Sequence, residues 1–180
     1  MRSKRSPWSW LVLVVWCAWI YALLGRLAAE PAVRGWVPDL GLVLLLGLEP
    51  RLSRRDAVRA ALVIGLARAA FSADAPTAIL AGTLGAVSVS RGLRNVVESD
   101  AALPRAAVTG ICALLLGLFL AAVHRARLSA GFGAVDFALP LGTVVRGAAA
   151  TALASLLVWP LLVRLPGLTP LVASRGSRFA

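Results

Sequence analysis

Asp39, Arg68 and Arg146 stand inside or at the edge of apolar runs, where ionisable side chains are costly. A guanidinium in hydrocarbon costs roughly 2.5–3.5 kcal/mol on insertion scales, so it turns to a partner, to water or to an interface. Asp39 lies ten residues before Glu49, about 15 Å along a helix. Arg68 lies twelve residues after Asp56, about 18 Å along a helix. Counted from the basic turn between Glu49 and Asp56, the two share a similar depth on neighbouring segments. Two readings follow: an Asp39–Arg68 ion pair, or Arg68 snorkelling to an interface. Arg146 has no such partner, because Asp136 is ten residues away on the same segment.

Residue types that carry covalent or metal chemistry are not grouped for it. The sequence has no G-x-S-x-G, no H-E-x-x-H and no Walker phosphate loop. His124, the single histidine, sits beside Arg125 and Arg127 and reads as an interfacial residue. Cys17 and Cys112 each lie in an apolar run, the setting of inert packing thiols. One His and two apolar Cys make no metal constellation. The expectation is a protein without catalytic, cofactor or metal residues, not an enzyme.

The elements that position these charges are apolar. Of 180 residues, 59% are hydrophobic and 15% charged, against about 25% charged in an average soluble domain. Mean hydropathy is +0.84. That composition belongs to integral membrane proteins. The net charge of +11 is then read as basic loops held against anionic lipid. A nucleic-acid face is excluded by the lack of basic residues interleaved with aromatics.

Ser6–Gly25 is 20 residues without a charge, about 30 Å as a helix, the thickness of a bilayer core. It is too long for a signal-peptide core and reads as an uncleaved first span, with Trp8 and Trp10 at the interface. The second segment, Trp36–Glu49, has 14 residues and an uncharged centre, LGLVLLLGL. Pro38 and Asp39 suit its first turn, and Pro50 stops it before Arg51, Arg54 and Arg55. It reads as a short span shielded by its neighbours. The third segment is 57–71, the fourth 75–90 after the turn SADAP, the fifth 106–123, and the sixth 137–163 with kinks at Pro140 and Pro160. Residues 95–103 read as an interfacial stretch. Gly110 and Gly117 share a helix face suited to internal packing.

The predicted architecture is all-α: a polytopic integral membrane protein with about six transmembrane helices in one bundle over 1–164, then a short basic tail over 165–180. With the N-terminus inside, the cytoplasmic segments hold eleven Lys and Arg and the outer ones four. The bias puts both termini in the cytoplasm. If segments two and three are re-entrant, four spans remain with the same orientation.

The pattern resembles the MreD family of bacterial rod shape-determining proteins. A basic N-terminus leads into a long span, then Val37-Pro38-Asp39-Leu40 heads a Leu-rich short helix, followed by the basic turn of LSRRDAVRAALVIGL. The family commonly has Pro-Asp-Leu at the second helix, then Gly-Leu-x-x-Asp, Ser-Gly and Pro-Leu-Gly. Here Gly65, Leu66, Ser72 and Pro76 match, while Ala69, Ala73 and Thr77-Ala78 depart. The resemblance implies a fold similar to the substrate-binding components of energy-coupling-factor importers. It implies a non-enzymatic inner-membrane scaffold of the cell-elongation machinery, which builds sidewall peptidoglycan. It implies a bitopic MreC-like partner and, through it, the MreB filament and the sidewall synthases. The alternative function is a substrate-binding membrane subunit of a vitamin or metal importer. Pro38, Asp39, Arg68, Arg146, Arg51, Arg54 and Arg55 are the candidate structural or interaction residues.

Overall fold

The computed structural model describes residues 7–30, 32–33, 35–94, 101–129, 141–163 and 165–168. Among these residues all regular structure is helical: α1 (Pro7–Ala29), α2 (Leu40–Leu48), a 3₁₀ turn (Glu49–Arg51), α3 (Arg54–Ala70), α4 (Pro76–Arg94), α5 (Ala102–Ser129), α6 (Leu141–Leu157) and α7 (Trp159–Val163).

Helix α2 is the centre of the fold. Its nine residues, LGLVLLLGL, carry no polar side chain, and eight of them are buried. A helix apolar on all sides must be enclosed, and α2 touches every other α-helix. Asp39 caps its start by accepting a hydrogen bond from the Leu42 N–H at 2.9 Å. Pro50, which has no N–H to donate, ends it in the tighter 3₁₀ turn. The two glycines of α2 admit aromatic rings. The Tyr21 ring lies where a Gly41 side chain would project, and the Trp159 ring lies where a Gly47 side chain would project.

The other helices wrap this one. Ser53 caps α3, its Oγ accepting from the Asp56 N–H at 3.2 Å and donating to Asp56 Oδ2 at 2.7 Å. The turn between α3 and α4 closes when the Ser72 Oγ accepts from the Asp74 N–H at 3.1 Å. Gly65 brings α3 close to Thr83 and Leu80 of α4. Gly110 and Gly117 both face α6, at Ala152 and Val144, so this pair serves internal packing. Cys17 and Cys112 are buried free thiols. The outside is apolar: Trp8 and Trp19 on α1, Leu66 on α3, Leu115 on α5 and Leu153 on α6 are all exposed.

Among the described residues two helices, α1 and α5, are long and apolar enough to cross a membrane. The other predicted segments fall short for different physical reasons. α2 has nine residues, α3 and α6 have 17 each, and α3 also carries Arg59 inside it and Arg68 in its last turn. Boundaries also differ from expectation: α1 runs on to Ala29 and α4 to Arg94, each through basic residues. The fifth segment begins at Ala102 and runs to Ser129, because helix continues through its polar ends. The sixth breaks at Val158 into α6 and α7, since Pro160 cannot donate to the helix and clashes with the preceding turn. Residues 165–168, expected in the tail, pack on the bundle. Leu168 is fully buried there, Gly167 turns the chain with φ of 82°, and the Pro166 carbonyl accepts from Trp16 Nε1 at 3.3 Å. Arg2, Lys4, Arg5, Asp136, Pro140, Arg164, residues 95–100 and residues 169–180 lie outside the described residues.

Candidate functional site

Asp39 and Arg68 meet. Arg68 Nη1 donates to Asp39 Oδ2 in an ion pair, with both side chains mostly shielded. The snorkelling reading of Arg68 gives way to this pair. The other carboxylate oxygen, Oδ1, accepts from the Tyr21 hydroxyl at 3.2 Å and from the Leu42 N–H at 2.9 Å. The Asp39 N–H donates to Thr151 Oγ1 at 3.0 Å. Thr151 Oγ1 in turn donates to the Gly147 carbonyl at 2.7 Å. The Asp39 carboxylate therefore joins α1, α2 and α3, and its N–H adds α6. Asp74, in the turn before α4, adds a second negative charge near Arg68. Asp74 also faces His124 Nδ1 of α5 at 3.8 Å. The resulting series of polar groups reaches α1, α2, α3, α5 and α6, and the turn that leads into α4.

Its depth follows from the helices that carry it. Tyr21 is eight residues short of the end of α1, about 12 Å. Thr151 is ten residues into α6, about 15 Å. Asp39 therefore sits near half height, and the irregular segment Trp36–Asp39 descends to it. Buried irregular backbone needs partners. The Trp36 N–H donates to the Val33 carbonyl at 2.9 Å, the Leu40 N–H to the Pro38 carbonyl at 3.1 Å, and the Asp39 N–H to Thr151.

A second ionic cluster closes the other end of α2. Glu49, 5% exposed, accepts from Arg91 Nε at 2.7 Å and lies 3.5 Å from Arg94 Nε. Arg94 Nη2 also donates to the Leu46 carbonyl at 2.5 Å. A carboxylate thus stands at the positive end of α2 and guanidinium groups at its negative end, the arrangement the helix dipole favours.

The remaining predicted residues separate. Pro38 is half-buried beside Asp39. Arg51 lies in the 3₁₀ turn, and Arg54 and Arg55 are exposed on the first turn of α3. Arg146 is exposed and folds back on its own helix, donating to the Gly142 carbonyl at 3.0 Å. Sequence reasoning missed Tyr21, Thr151 and the Glu49–Arg91–Arg94 cluster. The available signals were the single tyrosine in an otherwise apolar span, and an acid directly after an uncharged helix with two arginines three apart at a later helix end.

Among the described residues the surface carries recesses. One of about 280 Å³ is lined by Asp74, Gly117, Leu120, Ala121, His124 and Arg125. Another, about 500 Å³, is an apolar groove of α1 with Arg26 and Phe71 at its edge. No group of His, Cys, Asp and Glu among the described residues is placed to hold a metal ion. The chain matches no protein-family model, no curated protein and no solved structure.

Proposed function

We propose that this chain is a non-enzymatic scaffold of the bacterial cell-elongation machinery, a multi-pass protein of the inner membrane with both termini in the cytoplasm. The observation that carries this reading is the role of Asp39. The Pro38-Asp39-Leu40 step on which the MreD resemblance rests is the point where four helices are tied together. Polar groups at half depth are engaged with one another, and the outward face is apolar. Such a bundle offers lipid-embedded helix faces to partners, where van der Waals packing and a few polar contacts drive association.

In this reading six elements traverse the bilayer, in an arrangement like that of the energy-coupling-factor substrate-binding components. The second crosses in two parts. Nine helical residues rise about 14 Å, and the four irregular residues Trp36–Asp39 reach up to about 13 Å. Together they approach the roughly 30 Å hydrocarbon thickness. Irregular backbone at membrane depth is tolerated where protein encloses and satisfies it. The partner is a bitopic MreC-like protein, with the MreB filament and the sidewall synthases reached through it. The importer reading draws on the recess of about 280 Å³ at Asp74 and His124, which is slightly below the usual volume of a small-molecule site, about 300–1,000 Å³.

Proximity labelling in native bacterial membranes, with the label fused to the C-terminus, tests the proposal. A coiled-coil bitopic protein and sidewall-synthesis enzymes are the expected neighbours. Paired ATPases with a coupling membrane subunit would replace this reading by the importer.

A further inference from the structure

Arginines collect at the end of the bundle where α2 stops. Arg51, Arg54 and Arg55 follow α2, Arg91 and Arg94 close α4, and Arg105 lies just inside the start of α5. Glu49 answers Arg91 and Arg94. Arg105 is different: it forms no ion pair among the described residues, and its Nε is buried without a hydrogen-bond partner there. Its guanidinium is held over the Trp159 ring, 5.4 Å from the centroid, which fixes its plane. Arg51 lies close enough for the two positive charges to repel. A buried donor left unsatisfied is costly, and a second cation nearby adds to that cost. With the Nε closed to solvent, an anion meets the remaining N–H groups of the half-buried guanidinium, and its negative charge offsets the repulsion. A planar guanidinium fork matches a phosphate.

We propose that Arg105, fixed on Trp159 and reinforced by Arg51, forms a binding site for the phosphate of an anionic phospholipid. The surroundings favour a lipid over a free anion. Leu103, two residues before Arg105, is 75% exposed, and Leu157 and Leu161, on either side of Trp159, are 76% and 66% exposed. A phosphate-seeking cation bordered by exposed leucines fits the boundary between headgroup and acyl chain. Basic pockets between membrane helices on the cytoplasmic side bind headgroups in this way. The site does not depend on the cell-elongation reading.

Native mass spectrometry of the full chain in dodecyl maltoside tests it, with phosphatidylglycerol, phosphatidylcholine or inorganic phosphate added. Wild type is expected to retain phosphatidylglycerol over phosphatidylcholine, and Arg105→Gln to lower that retention about tenfold, the loss of a charge-assisted contact. The double variant Arg54→Gln/Arg55→Gln, which thins the basic surface elsewhere, is expected to stay within about twofold of wild type. If Arg105→Gln lowers the unfolding temperature in phosphatidylcholine alone, Arg105→Lys carries the test, with retention down about threefold because the planar fork is gone. Unchanged retention in the Arg105 variants overturns the proposal. So does an equal loss in the Arg54/Arg55 double variant. Displacement of phosphatidylglycerol by millimolar inorganic phosphate would assign the site to a free anion and overturn the lipid assignment.

Discussion

Asp39 performs three tasks with one carboxylate and one N–H. It caps α2, neutralises Arg68 and anchors the irregular approach through Thr151. Their energies differ. Losing one partner of a shielded ion pair strands a charge, at about 3 kcal/mol or more, while one neutral hydrogen bond contributes about 1 kcal/mol. Asp39→Asn keeps the shape and the cap but strands Arg68, so unfolding in detergent should show a loss of about 3 kcal/mol. Tyr21→Phe should lose only about 1 kcal/mol in the same assay. Equal losses would mean that the charge is not the dominant contribution. The Asp39–Arg68 pairing was legible in the sequence because two rare charges fell at one depth on adjacent segments. Tyr21 and Thr151 were not, because uncharged polar residues carry no such rarity and Thr151 is far away along the chain.

At the scale of the element, α2 owes its position to what it lacks. Without a polar face it has no orientation toward solvent, and without a side chain at Gly47 it accepts the Trp159 ring. Gly47→Ala would raise helix propensity by about 1 kcal/mol. The new methyl would overlap the ring, and overpacking of this kind costs about 1–3 kcal/mol, more where the neighbour is large and fixed. A net loss of stability is therefore expected, together with a change in Trp159 fluorescence. At the start of α3, Ser53→Ala removes a cap and should cost about 1 kcal/mol by the same unfolding measurement. Helix existence was readable from uncharged runs bounded by Pro, Asp and Arg. Helix ends were less readable: α5 extends through residues that look like loop, and the break at Val158 precedes Pro160 by two residues. Both outcomes depend on tertiary packing, as does the burial of Leu168, which no local pattern announces.

At the scale of the molecule, charge is sorted by end. The end holding Glu49 and Asp56 gathers Arg51, Arg54, Arg55, Arg91, Arg94 and Arg105, and the proposed topology places it in the cytoplasm. Cysteine introduced at Arg54, in a variant lacking Cys17 and Cys112, should react with a membrane-impermeant maleimide only in inverted vesicles. Reaction in intact spheroplasts would reverse the orientation. The all-α class and the two long apolar helices were legible from composition and uncharged runs, whereas the nesting of Trp159 against Gly47 was not, because the two lie far apart along the chain. The Asp39–Arg68 pair ties the bundle together around α2. The most direct measurement is a charge-swap cycle: Asp39→Arg, Arg68→Asp and the double variant, each followed by thermal unfolding in detergent. Each single variant places like charges together and should unfold well below wild type, and the double variant should recover a substantial part of the loss despite surrendering the Asp39 cap. A double variant no more stable than the worse single variant would contradict the claim.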